Sequence, residues 1–443
     1  MKKYITLLLL VGLALPAVAF DPLGAHKVAA PKGCIDKDIT TEELTLDDLI
    51  QIGLCTNPSL SAGYMGVKAS EAGLGQARSQ YLPTVNLTGT GNITGEKLEG
   101  TSYVQGEPYS GKAEASWLLF DFGGREARTS STRHYVEAAR YSYDASLQDM
   151  VLAVQSAYLN LLAAQESLVS AQASLDTYKQ SYEEAEKRYK LGMVSLSDNL
   201  QARTRYEQAI LAVVQAENLI KQYSGALAIL VNLSPDTSIQ LKKPIFQEDM
   251  VQIENDDVSA LMQAALENRP EIRAQQSTQR AAKSDVTSAK TNMLPSISAT
   301  GSVAYGDNWK HSNPYLTSNS AGLLVKMPLF TGFSNMYKVQ QASYKYYQQV
   351  NNTQALRLQI ENEVWRAYQN YKTALQSYEI SQAVLESAEE NHRVAFRYYE
   401  LGKGDILNLL SAVAQLADAR QNKITAFYSL LLSKASLYRS IGK

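Results

Sequence analysis

"KRYKLGMVSLSDNLQA" occupies residues 187–202, and "FRYYELGKGDILNLLSA" occupies residues 396–412. In both, Tyr-x-Leu-Gly (Tyr189 to Gly192, Tyr399 to Gly402) interrupts a polar-apolar pattern of helical period. Leu-x-Ala follows at the same distance in each, as Leu200-x-Ala202 and Leu410-x-Ala412. A glycine that breaks a long helical pattern marks a turn. The same break, twice and at one spacing, marks a repeat.

Comparison of the chain with itself extends the repeat in both directions. At an offset of 212, Leu49 meets Leu261, Pro58 meets Pro270, and "LPTVNLTG" (82–89) meets "LPSISATG" (294–301). Past the next loops the offset becomes 210, where Leu119-Phe120 meets Leu329-Phe330, Tyr158 meets Tyr368, and the two tips coincide. A register that changes once, in a turn-rich stretch, is the trace of a tandem duplication. Residues 45–232 form repeat one, 233–255 a linker and 256–443 repeat two.

Each copy reads alike. A helical run broken once by "NP" or "RP" spans about 45–81 and 256–293, and Pro83 or Pro295 ends it. Val85, Leu87 and Ile93 then alternate with Asn86, Thr88, Thr90, Asn92 and Thr94, the period of a strand. A second strand is expected at 111–120, and at 318–330 in copy two. Between Gly124 and Lys190 no further Pro or Gly occurs, a helix of about 100 Å at 1.5 Å per residue. Leu147, Val151, Val154, Tyr158, Leu161, Gln165 and Leu168 step by 4 and 3 along one seam. Leu152, Leu159, Leu162 and Val169 form a second line. Two seams on one helix predict neighbours on both sides, as in a wall of helices. The Gly192 and Gly402 sites are then the tips of two long hairpins, each returning through a helix of 35–40 residues.

The N-terminus sets the compartment. Lys2 and Lys3, an apolar run to Leu15 and Ala17-x-Ala19 have the layout of a signal peptide over 1–19, with a tail over 20–44. Without those two lysines, 40 basic residues face 44 acidic ones, which offers nothing to a nucleic acid. Cys34 and Cys55, the only cysteines, are expected to form a disulfide, two unrelated buried thiols being the alternative. His26, His134, His311 and His392 share no ligand spacing, so no metal is expected. No phosphate loop or nucleophile elbow occurs, and "DFGG" (121–124) lacks the other kinase signatures, so neither a cofactor nor an enzymatic activity is expected.

Four strands cannot close a barrel, and lipid tolerates no open edge, so copies of the chain must pool strands. The pattern as a whole resembles the TolC-type outer membrane efflux proteins. The duplication, the "LP" strand starts, "LFDFGG" (119–124), "LFTGF" (329–333) and the glycine tips carry the likeness over essentially the whole mature chain. The resemblance implies a mainly α fold with membrane β. It would be a homotrimer with a twelve-stranded β-barrel in outer membrane lipid, four strands per chain, continued by a periplasmic α-helical barrel of coiled-coil hairpins. It implies a passive exit duct for small molecules or proteins, docked to a periplasmic adaptor (membrane fusion protein) and an inner-membrane pump, ABC or proton-driven. A structural or adhesive coiled-coil envelope protein is the other class considered; the four strands favour the duct.

The same resemblance assigns the tips. Leu191, Gly192, Met193 and Ser195, with Leu401 and Gly402, match the family's adaptor-docking pattern. For the periplasmic gate, Tyr399 matches the family's tyrosine and Asp198 an acid of copy one. The lock arginine, however, is Gly404 here, and the acid ring positions are Asn408 and Ser411. Lys403 and Asp405 are the remaining charges within reach. A mouth held by hydrogen bonds and packing is therefore expected.

Overall fold

The computed structural model describes residues 43–96, 104–106, 109–237, 239–242, 257–307 and 315–442. The signal-peptide residues and Cys34 lie outside the described residues. Copy one contains α1 (Leu46–Thr56), α2 (Pro58–Ser79), β1 (Thr84–Gly91), β2 (Thr94–Glu96), β3 (Val104–Gly106), β4 (Tyr109–Phe120), α3 (Gly124–Lys190) and α4 (Leu196–Leu230). Copy two contains α5 (Val258–Asn268), α6 (Pro270–Thr291), β5 (Ser296–Asp307), β6 (Tyr315–Lys326), α7 (Ser334–Glu400) and α8 (Ile406–Ser440). The long helices α3 and α7 have 67 residues each and the return helices α4 and α8 have 35 each. Equal lengths are the structural form of the 210-residue offset.

Local chemistry sets the boundaries. Thr45 and Asp48 form a capping box at the start of α1, and Asn57 Oδ1 accepts from the Ser59 N–H to start α2 behind Pro58. The expected single interrupted helix is thus two helices sharing a cap. β6 ends at Lys326 and does not run on to Phe330 as expected, because Pro328 has no N–H to give to a ladder. β2 and β3, which the alternation did not separate from the main strands, pair as a small hairpin of their own.

The main sheet runs β1-β4-β5-β6, all antiparallel, so the β4–β5 pair joins the two copies. Register divides its faces. Val85, Ala115, Gly301 and Ala321 stand in one row, and Trp117, Ala299 and Leu323 in another on the same face. Leu87 is 83% exposed and Leu323 71%, which no water-facing surface would favour. The opposite face carries the row Asn86, Glu114, Ser302 and Ser320, with a Lys112–Glu114 ion pair at 2.7 Å and a Ser302–Ser320 hydroxyl contact at 3.0 Å. An apolar exterior with a polar interior is the alternation of a membrane barrel. Among the described residues no helix is long and apolar enough to cross a bilayer.

The base of the sheet has a feature of its own. Each strand-to-helix junction uses two successive left-handed residues, Phe122 and Gly123 in copy one, Gly332 and Phe333 in copy two. The phenylalanine and the glycine have exchanged places between the copies. A left-handed phenylalanine costs about 1–2 kcal/mol, yet both copies keep one. Each exposed ring packs edge-on against a second, Phe120 or Phe330, at the level where outer-membrane barrels carry aromatic girdles.

Below the sheet, α3 packs between α4 and α8, and α8 between α3 and α7, so the helices form a wall. Both apolar lines of α3 are used: Val154, Tyr158 and Leu161 from one, Leu159 and Leu162 from the other, all buried in one cluster with Leu49, Ile52 and Leu227. Copy two builds its core from the equivalent positions, Leu261, Val364 and Leu437.

One element of this waist has no counterpart in copy one. Arg439 Nε donates to Asp149 at 2.9 Å and Nη2 to Glu271 at 2.6 Å, while Arg269 bonds Glu271 and Glu363. Four helices, α3, α6, α7 and α8, meet on two arginines, each about nine-tenths buried. Burial pushes the Glu271 carboxyl up, but hydrogen bonds from Arg269 and Arg439 outweigh it and hold the group at about 2. A depressed carboxylate stabilises the fold above the unfolded value near 4.5, and that contribution is lost as pH falls toward 2. We expect Glu271→Gln to remove about 2 kcal/mol of stability at neutral pH and to flatten the acid limb between pH 4.5 and 2. Thermal unfolding of the two proteins across that range measures it.

Candidate functional site at the hairpin tips

At each tip a long helix ends in the same hydrogen-bonded turn. The Gly192 N–H donates to the Tyr189 carbonyl at 2.9 Å and the Met193 N–H to the Arg188 carbonyl at 2.9 Å. In copy two, Gly402 donates to Tyr399 and Lys403 to Tyr398, both at 2.9 Å. This is the Schellman arrangement, which needs a left-handed residue; Gly192 and Gly402 take φ of 71° and 72°. Three residues after each glycine, the return helix is capped. Ser195 accepts from the Asp198 N–H at 3.2 Å while Asp198 accepts from the Ser195 N–H at 3.1 Å; Asp405 accepts from the Asn408 N–H at 2.7 Å.

These bonds bear on the residues singled out from the sequence. Asp198 and Asp405 are engaged in capping their own helices, and Asn408 bonds Asp405 through both its backbone and its side-chain N–H. Lys403 is exposed and makes no ion pair among the described residues. Leu191, Met193 and Leu401 stand out into solvent, each at least 61% exposed. Tyr399 is the opposite case, 2% exposed and set among Ala185, Ala202, Ile406, Leu409 and Leu410. Burial pushes its hydroxyl pKa up; the Arg188 guanidinium opposes this, and the Asp198 and Glu184 carboxylates add to it. Among the described residues that hydroxyl has no hydrogen-bond partner.

The residue missed from the sequence is Arg188. It is buried, although it lies only four positions before the tip glycine. Its Nε donates to Glu184 at 2.9 Å, its Cζ lies over the Tyr399 ring at 4.8 Å from the centroid, and Nη2 donates to the backbone carbonyl of Glu400. One arginine of hairpin one thus reaches the turn of hairpin two. The available signal was a difference between copies, since the residue 210 positions on is Tyr398.

Beside the tips, α4 and α8 enclose a groove of about 820 Å³, with Leu196, Leu200, Leu407 and Leu410 as its apolar lining and Arg205 as its one charged residue.

A duplicated chain with a two-faced membrane sheet and a wall of 100 Å helices is the fold of an outer-membrane channel. Residues 49–233 and 261–443 match the outer membrane efflux protein family, and the chain belongs to it. The CyaE protein of Bordetella pertussis is similar at 28% identity over 436 residues, 98% of this chain and 90% of that protein. The outer membrane protein TolC of Vibrio cholerae is 24% identical, covering 83% of each. The crystal structure of VceC from Vibrio cholerae superposes with a TM-score of 0.77 at 19% identity, covering 90% of this chain and 96% of that one. The protein is therefore an outer membrane channel of the Gram-negative envelope, extending into the periplasm, and not an enzyme.

No free cysteine occurs among the described residues. The Cys34–Cys55 bridge rests on a residue outside them and stands as a prediction. It would close a loop of about 20 residues, on the order of 3 kcal/mol in the chain-entropy model. Intact-mass measurement after alkylation without reductant is expected to show no added groups; two would rule the bridge out.

Proposed function

We propose that the chain forms a homotrimeric, passive exit duct that receives cargo from a pump complex through a periplasmic adaptor docked at its hairpin tips. One observation carries the reading. Leu191, Met193 and Leu401 are large apolar side chains beside glycines, at the end of 67-residue helices farthest from the membrane sheet. None of them joins the small apolar cluster around Tyr399. Exposed apolar groups at a capped, well-formed turn fit a partner's helices, and the leucine-lined groove between α4 and α8 offers such helices a seat. The relatives support the coarser part, since the chain is similar to the outer membrane protein TolC of Vibrio cholerae; the inner-membrane pump would be ABC-type or proton-driven. The strands need company for a different reason. Four of them leave two edges, and three chains supply the twelve that enclose a lumen.

Two experiments test this. Native mass spectrometry in detergent is expected to give a trimer; a stable monomer would remove the barrel argument. Replacing both Gly192 and Gly402 with valine forces a left-handed β-branched residue into each turn, about 1–2 kcal/mol apiece. That is little against the strands and seams, so trimer yield in the outer membrane is expected to stay normal while export is lost. Met193→Glu and Leu401→Glu should give milder losses. Full export from the double variant at normal protein levels would move docking away from the tips.

A further inference from the structure

On the tip side of the waist, α3, α8 and α7 enclose a cavity of about 480 Å³ that neither the docking tips nor the strands account for. α8 runs between the other two helices, and each helix gives it one stripe of side chains. The membrane-side end is aromatic. Tyr378 of α7 and Phe427 of α8 lie 5.3 Å apart between ring centroids, and Phe427 packs edge-on against Tyr428 at 5.3 Å. Leu162 and Tyr428 also belong to the apolar cluster of the waist, so the cavity continues that cluster toward the tips. The tip-side end is cationic. Arg420 and Lys423 line it beside Val169, Ala173 and Leu385. Both cations are partly buried, and neither makes an ion pair among the described residues. The one carboxylate of the lining, Glu166, stands toward the rings, where it adds to burial in raising the Tyr428 hydroxyl pKa. Near the other end, burial first and the Arg420 cation second hold the His392 pKa below its ordinary value, with no carboxylate opposing them.

This division is not inherited from the repeat. The residues 210 positions before Arg420, Lys423, Phe427 and Tyr428 are Ile210, Val213, Glu217 and Asn218. Neither the cations nor the rings recur, so the seams of the wall do not require them. We propose that the cavity binds a small aromatic monoanion, its rings against Tyr378, Phe427 and Tyr428 and its carboxylate or sulfonate toward Arg420 and Lys423. The volume lies within the range of about 300–1,000 Å³ of small-molecule sites. Arg420 and Tyr428 are eight positions apart on α8, about 12 Å along its axis, which is the reach of a two-ring body with a charged head. Charge sets the class. Two cations and one carboxylate leave one net positive charge, away from Glu166, so a monoanion neutralises the cavity and a cation does not. Apolar burial supplies affinity, and the guanidinium fork orients the head. All three helices belong to one chain, so the site depends on neither the trimer nor an adaptor.

The test uses the full-length protein in lipid nanodiscs, with empty nanodiscs as the background. The probe is anilinonaphthalene sulfonate, an aromatic monoanion whose fluorescence rises on leaving water. Phenylnaphthylamine, the same rings without the sulfonate, is the neutral control. Saturable binding of the anion is expected in the wild type. Arg420→Gln combined with Lys423→Gln should weaken the anion about ten-fold and leave the neutral probe unchanged. Ser170→Glu, which adds a carboxylate to the lining, should act in the same sense. These three positions lie outside the packed clusters, so the variants are read in assembled protein. Phe427→Ala should weaken both probes. Unchanged anion binding in the two charge variants, or equal loss of both probes there, overturns the proposal. Unchanged binding of both probes in Phe427→Ala overturns it as well, because the rings would then lie elsewhere.

Discussion

In hydrocarbon a strand edge has no water to bond, and the four-stranded sheet of this chain has two edges, β1 and β6. They belong to different copies of the repeat, because β4 and β5 pair across the duplication. Edge β6 of one chain and edge β1 of the next can pair head to tail, an arrangement that either closes or grows without end. Closure suits a barrel, and the twist and tilt of strands limit how many chains complete it. Everything below the sheet inherits this geometry.

The helical wall obeys the same rule by another interaction. Its order is α4, α3, α8, α7, so α4 from copy one and α7 from copy two lie at its margins. Leu211 and Val214 on α4, and Leu358, Ile380 and Val384 on α7, remain exposed in the single chain. The margins thus carry the apolar side chains that α3 and α8 bury against neighbours. Strand edges and wall margins open between the same two copies, so one head-to-tail interface serves both layers. Hydrogen bonding enforces it in the membrane, and apolar burial enforces it outside.

Much of this was legible in the sequence because it is periodic or repeated. The seam through Val154, Tyr158 and Leu161 follows from spacing alone, as does the alternation at Val85 and Leu87. The two tips follow from the 210-residue offset. What escaped depends on partners without spacing. Arg188 bonds a backbone carbonyl 212 positions away, and a backbone carbonyl has no residue type to recognise. Arg439 and Arg269 gain their meaning from Glu271, Asp149 and Glu363, which three other helices bring to one point. The end of β6 at Lys326 was missed for a simpler reason. "GLLVKMPLF" is apolar but for Lys326, and hydropathy outweighed the missing N–H of Pro328.

Divergence between the copies indicates where the duplication has been put to use. Core positions persist: Leu49 and Leu261, Val154 and Val364, Leu227 and Leu437 are identical and buried in both. The tips keep their turn chemistry but exchange everything around it. Tyr189 is 39% exposed while its counterpart Tyr399 is 2% exposed, and Arg188 stands opposite an exposed Tyr398. A symmetric pair of hairpins would bury both tyrosines alike or neither. Here one hairpin supplies the arginine and the other is received by it, so the two cannot exchange places. The waist breaks symmetry in the same sense, its ion cluster being built on the α6, α7 and α8 of copy two with only Asp149 from copy one. Two halves that share a fold but not their contacts have different freedoms. Hairpin two is held at its base by the ion cluster, and at its tip by one guanidinium and the apolar packing around Tyr399.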